Sequence, residues 1–252
     1  MKYHRYTGPL ILGAVLIAGL MVYAQTASKL ATKIHDKTIP HPKVVAPATP
    51  STQTQPGNPP SDAVVLFDGK DISKWEGKDA EAKWLVKDGY MEGNRTGDIR
   101  TKASYGDCQL HVEWATSGGK DAGNSGIYMM TRYELQVFES YKNKVKIYAD
   151  GQAAAIYGQY PPLVNACAEP GKWQTYDMIF RRPRFDADGK LLSPAIMTVF
   201  HNGVLVQDHV ALTGPTGHHK RPPYSKHDKA PILLQDHGNP VRYRNIWIRP
   251  LE

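Results

Sequence analysis

Two glutamates and an amide lie close together in one short stretch, Tyr133-Glu-Leu-Gln-Val-Phe-Glu-Ser140. Strict strand alternation places Glu134 and Gln136 on one face and Leu135 and Val137 on the other. It would also send Glu139 inward with the two apolar residues, where an unpaired carboxylate is costly. One extra residue, a β-bulge at Val137-Phe138, would bring Glu139 round to the face of Glu134 and Gln136. Two carboxylates flanking an amide could then serve as base, acid and orienting group. The alternative reading of the same residues is a polar, solvated sheet face. Just upstream, Gly123-Asn-Ser-Gly-Ile-Tyr-Met-Met130 leads into this stretch, and Gln235-Asp-His-Gly238 closes an apolar run. Polar groups followed by Gly at a strand end mark either the rim of a site or a tight turn.

The elements that must position these groups are strands. Cys108-Gln-Leu-His-Val-Glu-Trp114 alternates, with Cys108, Leu110, Val112 and Trp114 on one face and Gln109, His111 and Glu113 on the other. Residues 173–181, 195–201, 204–209, 232–235 and 243–249 show the same habit. By that alternation Arg244 shares a face with Ile246, at the edge of the core. Asn202-Gly203 tolerates positive φ and reads as a hairpin turn, and Asp186-Ala-Asp-Gly189 as another. No sustained helical stripe occurs. Short, regularly spaced strands of this kind predict an all-β domain, a jelly-roll sandwich of two antiparallel sheets.

Two resemblances narrow the chemistry. The 134–139 stretch resembles the Glu-x-Asp-x-x-Glu strand of laminarinase-type glycoside hydrolases, with Gln136 where that family has Asp. There the outer carboxylates are nucleophile and acid/base, a pairing that needs a separation of about 5–5.5 Å for a retaining displacement. A broader resemblance runs through Val65-Leu-Phe-Asp-Gly-Lys-Asp-Ile-Ser-Lys-Trp75, Asn124-Ser-Gly-Ile-Tyr128, Glu134-Leu-Gln-Val-Phe-Glu139 and Ala155-Ile-Tyr-Gly158. It continues through Pro170-Gly-Lys-Trp-Gln-Thr-Tyr-Asp177, Val199-Phe-His-Asn-Gly-Val204 and Pro231-Ile-Leu-Leu-Gln-Asp-His-Gly-Asn-Pro-Val-Arg-Tyr-Arg-Asn-Ile-Trp-Ile-Arg249. This is similar to the bacterial 3-keto-disaccharide hydrolases. The resemblance implies a concanavalin-like jelly roll and cleavage of glycosides whose C3 hydroxyl has been oxidised to a ketone. On this reading Glu134 or Glu139 is the base or acid, and Asn124 and Gln136 orient hydroxyls. His237 or Arg244 would hold a developing oxyanion, and Gln235 would line the substrate. Trp173 and Tyr157 are either sugar platforms or core. The alternative is a non-catalytic, lectin-like carbohydrate-binding domain, because the same fold serves both roles. A structural envelope protein is a third reading.

The rest of the chain bears on its address. Lys2 and Arg5, an apolar run from Gly8 to Tyr23 and a small-residue exit at Val22-Tyr23-Ala24 make residues 1–24 a secretory signal. The run is short for a membrane span, though it could stay uncleaved as an anchor. Export to the periplasm or beyond is expected either way. Residues 25–60 hold seven of the 19 prolines and read as a flexible linker, with the domain expected over residues 61–252. Six of the 31 basic residues and one of the 24 acidic ones precede Ser61, so the domain itself carries 25 against 23. A basic footprint for nucleic acid is therefore not expected, and carbohydrate is the expected partner. Cys108 and Cys167 could form one disulfide or stay as two free thiols. No ligand spacing declares a metal, and a divalent ion such as Ca²⁺ stays open.

Overall fold

The computed structural model describes residues 34, 35, 38, 40–79, 81–117, 123–144 and 146–251. The signal expected at 1–24 and nearly all of 25–39 lie outside the described residues. Residues 1–39 form one unit and residues 40–252 a second, which holds the fold. Among the described residues no helix is long and apolar enough to cross a membrane.

The second unit is an antiparallel β-sandwich. The larger sheet runs β13 (Val204–Ala211), β12 (Ile196–His201), β9 (Gln174–Arg181), β6 (Cys108–Ala115), β15 (Arg242–Pro250), β4 (Tyr90–Glu92) and β3 (Leu85–Lys87). Strand β1 (Val64–Phe67) also pairs with β15. The smaller sheet runs β2 (Trp75–Glu76), β5 (Ile99–Thr101), β14 (Leu233–Leu234), β7 (Asn124–Met129) and β8 (Tyr133–Phe138). The Asp186–Gly189 turn sits between β10 (Arg184–Phe185) and β11 (Leu191–Ser193), a two-stranded ribbon. The Asn202-Gly203 turn joins β12 to β13, with φ of 52° and 78°.

Alternation fills the core from both sheets. Leu110, Val112 and Trp114 meet Tyr176, Met178, Phe180 and Tyr243 from the larger sheet and Ile127, Leu135 and Val137 from the smaller one, all buried. Each such side chain contributes roughly 1.5–3 kcal/mol by leaving water. Cys108 and Cys167 are both buried and are not bonded to one another, so the open question of a disulfide between them resolves as two thiols. Two tyrosines stitch the sheets together. Tyr176 donates to the Gln136 carbonyl at 2.9 Å and Tyr243 to Ser125 Oγ at 2.6 Å. Both bonds hold the smaller sheet at the strands that carry the site.

Strand β15 departs from alternation. Arg244 pairs with Glu113 and Trp247 with His111, so three steps on β15 match two on β6. This is a β-bulge, with Asn245 at φ 46°. It corrects the expectation that Arg244 shares a face with Ile246. Ile246 enters the core, while Arg244 and Asn245 both reach Glu113 on the outer face of the larger sheet, each at 2.7 Å.

The Pro/Thr-rich stretch does not stay clear of the domain. Residues 46–61 fold back on themselves through Ser61 N–H to the Ala46 carbonyl (3.1 Å) and Thr49 N–H to the Asn58 carbonyl (3.0 Å). This strap then docks on the larger sheet. The Gln53 amide pairs with both backbone groups of Trp173, at 2.9 and 2.8 Å. Arg244 Nη2 donates to the Thr52 carbonyl at 2.6 Å, and the Ser51 hydroxyl donates to Glu113.

Candidate functional site

The outer face of the smaller sheet carries a hollow of about 370 Å³. Its floor follows from the β7–β8 register, which pairs Tyr128 with Glu134 and Gly126 with Gln136. Residues Asn124, Gly126 and Tyr128 of β7 and Glu134 and Gln136 of β8 therefore turn outward, while Ile127, Leu135 and Val137 turn into the core. Gln235 and His237 border the hollow from the end of β14, and Tyr148, Tyr157, Thr216, Gly217 and His218 close it from loops.

Glu134 is the one carboxylate among the described residues lining this hollow, and only 3% of it is exposed. Burial drives its pKa from the usual 4.5 to about 7, against a hydrogen bond with Tyr128 and with help from the nearby Asp98 charge. The carboxyl lies directly over Gly126. A Cβ there would sit 2.5 Å from Glu134 Oε1, so the glycine makes room for the acid. Thr216 Oγ1 accepts from the Glu134 backbone N–H at 3.0 Å and ties the loop above to the strand below. Gln136 is oriented by the Gly151 carbonyl at 3.2 Å and by Asn124 Oδ1 at 3.4 Å. Gln235 Nε2 reaches the Tyr128 hydroxyl at 3.4 Å.

Across the hollow, Tyr157 holds a chain of polar tips. Its hydroxyl bonds the Tyr148 hydroxyl, and His218 Nδ1 at 2.8 Å. Burial, then the Tyr148 contact, pushes the Tyr157 phenol well above its ordinary value, so it keeps its proton. Glu134 thus faces a protonated phenol, hydrogen-bonded to the His218 ring, across a space that can take a sugar ring.

Glu139 is elsewhere. Pairing between β7 and β8 runs unbroken to Phe138 and continues through Glu139 N–H to the Gly123 carbonyl at 3.1 Å. The bulge expected at Val137-Phe138 is absent, and Glu139 turns to the opposite face from Glu134. Burial there is tolerated because Thr116 Oγ1 donates to its carboxylate at 2.6 Å and Tyr141 N–H at 3.0 Å. Hydrogen-bond partners, one from β6's end and one two residues along the chain, and not a bulge, offset the cost of the inward carboxylate. Glu139→Gln is expected to lower stability by about 1–3 kcal/mol through its lost charge-assisted bonds. Catalysis should stay intact, which thermal melts and turnover measured together would check.

Two further residues lie outside the hollow. Arg244 packs its guanidinium 4.3 Å from the Trp173 ring on the outer face of the larger sheet, under the strap. That region contains a larger hollow of about 1010 Å³. Its buried ionic groups Glu113, Arg244 and His111 are engaged with one another and with the strap. The smaller hollow instead offers a buried acid with a raised pKa, and is the better candidate for chemistry.

The hollow therefore gathers Glu134, Gln136, Asn124, Tyr157, Gln235 and His237 of the residues singled out from sequence. It leaves out Glu139, Trp173 and Arg244, and it adds Tyr128, Tyr148, Thr216 and His218. Tyr128 was accessible by alternation from Asn124; the loop residues had no periodic signal. Among the described residues no three His, Cys, Asp or Glu side chains converge as a metal set.

No curated protein matches the chain. A solved structure from Parabacteroides distasonis ATCC 8503, described as a "putative glycosyl hydrolase", is 41% identical with a TM-score of 0.79. The match covers 87% of this chain and 94% of that one. A second structure from that organism, with the same description, has 22% identity and a TM-score of 0.57, covering 76% of this chain and 94% of its own. It supports the fold alone. The 3-keto-alpha-glucoside-1,2-lyase-like domain matches residues 62–249, which span the sandwich and every residue of the hollow, and the chain belongs to that family.

Proposed function

We propose that the domain is an exported glycoside-cleaving enzyme acting on sugars oxidised at C3, by elimination followed by hydration. One observation carries the reading. Among the described residues the hollow presents a single buried carboxyl, not the close carboxylate pair that an ordinary retaining glycosidase needs. A 3-ketone changes what the site must do, because it makes the C2 proton acidic and a single base suffices.

Glu134, ionised, takes the C2 proton, and the C2–H electrons pass into a C2=C3 enolate. His237 and the polar tips of Gln235 and Tyr128 face the space where negative charge would develop on O3. The enolate then collapses to the ketone, the C1=C2 bond forms and the C1–O bond breaks. The Tyr157–His218 pair is placed to give the departing oxygen its proton. Water next adds across C1=C2, hydroxyl to C1 and proton to C2, releasing the free 3-keto sugar. Asn124 and Gln136 fix the ring by its hydroxyls.

The test is to incubate the domain with matched native and 3-keto disaccharides, with and without chelator, and follow products by NMR in D₂O. Cleavage of the keto form alone, with deuterium entering C2, is the expected result. Binding without turnover would instead favour a lectin-like module. Equal cleavage of the native sugar would sink the keto chemistry. The chelator arm tests a metal requirement, and fractionation of expressing cells tests export.

A further inference from the structure

A second hollow of about 330 Å³ adjoins the first and shares Tyr148, Tyr157, Gly217 and His218 with it. The Tyr157–His218 pair lines both hollows and so stands between Glu134 and the second one. If the keto ring lies over Glu134, the departing group lies beyond Tyr157, in this second hollow. The hollows differ in charge. The first is lined by no Lys or Arg among the described residues. The second gathers His218, His219, Lys220 and Arg221 in four consecutive positions, against Asp150 as its one lining carboxylate among the described residues. Lys220 and Arg221 are exposed, and no ion pair engages either among the described residues. The near-neutral domain thus concentrates Lys220 and Arg221 beside this second hollow.

The floor is aromatic. The Tyr157 and His218 rings stack at 6.2 Å and 15°, and Tyr148 meets Tyr157 at 6.0 Å and 66°. Such faces pack against the C–H groups of a sugar ring, while a planar guanidinium matches a carboxylate in a bidentate fork. Gly217 lets the loop bend back over this floor, since a Cβ there would lie 2.6 Å from the Lys220 carbonyl. We infer that this second hollow is the leaving-group subsite and selects a leaving sugar that carries a negative charge, a uronic acid in the first instance. The inference rests on the reaction proposed above and names its substrate class.

The experiment compares 3-keto disaccharides whose leaving unit is glucose, glucuronate or a sulfated glucose. Measurements use the wild type and the Lys220→Ala/Arg221→Ala double variant. The wild type should favour the glucuronate substrate by about tenfold in kcat/KM, the scale of one charge-assisted contact, and the preference should shrink as salt rises. The double variant should lose that preference while its rate on the neutral substrate stays within about twofold. Equal wild-type rates on neutral and anionic substrates would overturn the inference, as would an equal loss on both in the variant. A sulfate preference above glucuronate would reassign the anion from carboxylate to sulfate and overturn the uronate assignment. Binding of methyl glucuronide and methyl glucoside is followed by NMR in parallel. If no keto substrate turns over but the glucuronide binds through Lys220 and Arg221, the anionic subsite stands and the reaction falls. If turnover occurs without discrimination, the reaction stands and the subsite falls.

Discussion

Glu134→Gln is expected to reduce kcat/KM on a 3-keto disaccharide by about 10²–10⁴-fold, the range a positioned general base supplies. In the wild type kcat/KM should rise as pH passes through about 7, because that is where the buried carboxyl sheds its proton and becomes a base. The glutamine variant should lose this limb. Asp98→Asn should move the limb to lower pH, since the Asp98 charge helps to hold the Glu134 proton on. Stability separates a catalytic loss from a folding one. A carboxyl whose folded pKa exceeds its unfolded 4.5 binds protons more tightly when folded. Its contribution is therefore most favourable below pH 4.5 and declines as pH rises toward 7. At pH 8 Glu134→Gln should melt no lower than the wild type. A variant that kept full turnover, or kept the limb near 7, would remove Glu134 from the role of base.

Alternation made the floor of the cleft readable. Glu134 and Gln136 share a face of β8 as their spacing dictates, and Asn124 and Tyr128 share one on β7 by the same rule. Alternation fails where a residue is satisfied by groups that the strand pattern does not register. Alternation alone demands a bulge for the inward Glu139, because it registers neither Thr116, 23 residues earlier, nor the Tyr141 N–H as its partner. The bulge that does exist lies in β15, where the run Arg242-Tyr-Arg-Asn-Ile-Trp247 gave no hint of an extra residue. Turns divide the same way. Asn202-Gly203 declares its hairpin by composition, whereas Met130 and Thr131 take φ of 54° and 56° at the β7–β8 turn without a Gly or Asn to announce it. Tyr148, Tyr157 and His218 meet only because separate loops fold over one sheet face. No period in the sequence records that meeting.

Arg244→Ala is expected to cost about 3–5 kcal/mol by leaving a buried carboxylate without its main charge partner. Glu113 is fully buried on the outer face of the larger sheet and accepts from Arg244, Asn245 and Ser51, with His111 at 3.6 Å. At about 2–4 °C per kcal/mol for a domain of this size, the melting temperature should fall by roughly 6–20 °C. Ser51 and the Thr52 carbonyl belong to the strap, so a protein beginning at Ser61 should lose stability in the same direction relative to one beginning at Pro40. The pH dependence follows from the same cluster. Burial raises the Glu113 pKa, but the bonds from His111, Ser51, Asn245 and Arg244 outweigh it and hold the group at about 2. Its stabilisation is present above the unfolded 4.5 and is lost as pH falls toward 2. Burial of His111 opposes its charge, yet Asp177 and Glu113 lift it to about 9. That stabilisation is complete below the unfolded 6.5 and is lost as pH rises toward 9. The two windows overlap between about pH 4.5 and 6.5, where the strap should be held most firmly and the difference between the two N-terminal starting points should be largest. Equal melting temperatures for the two proteins in that window would mean that the strap rests on the sheet without supporting it.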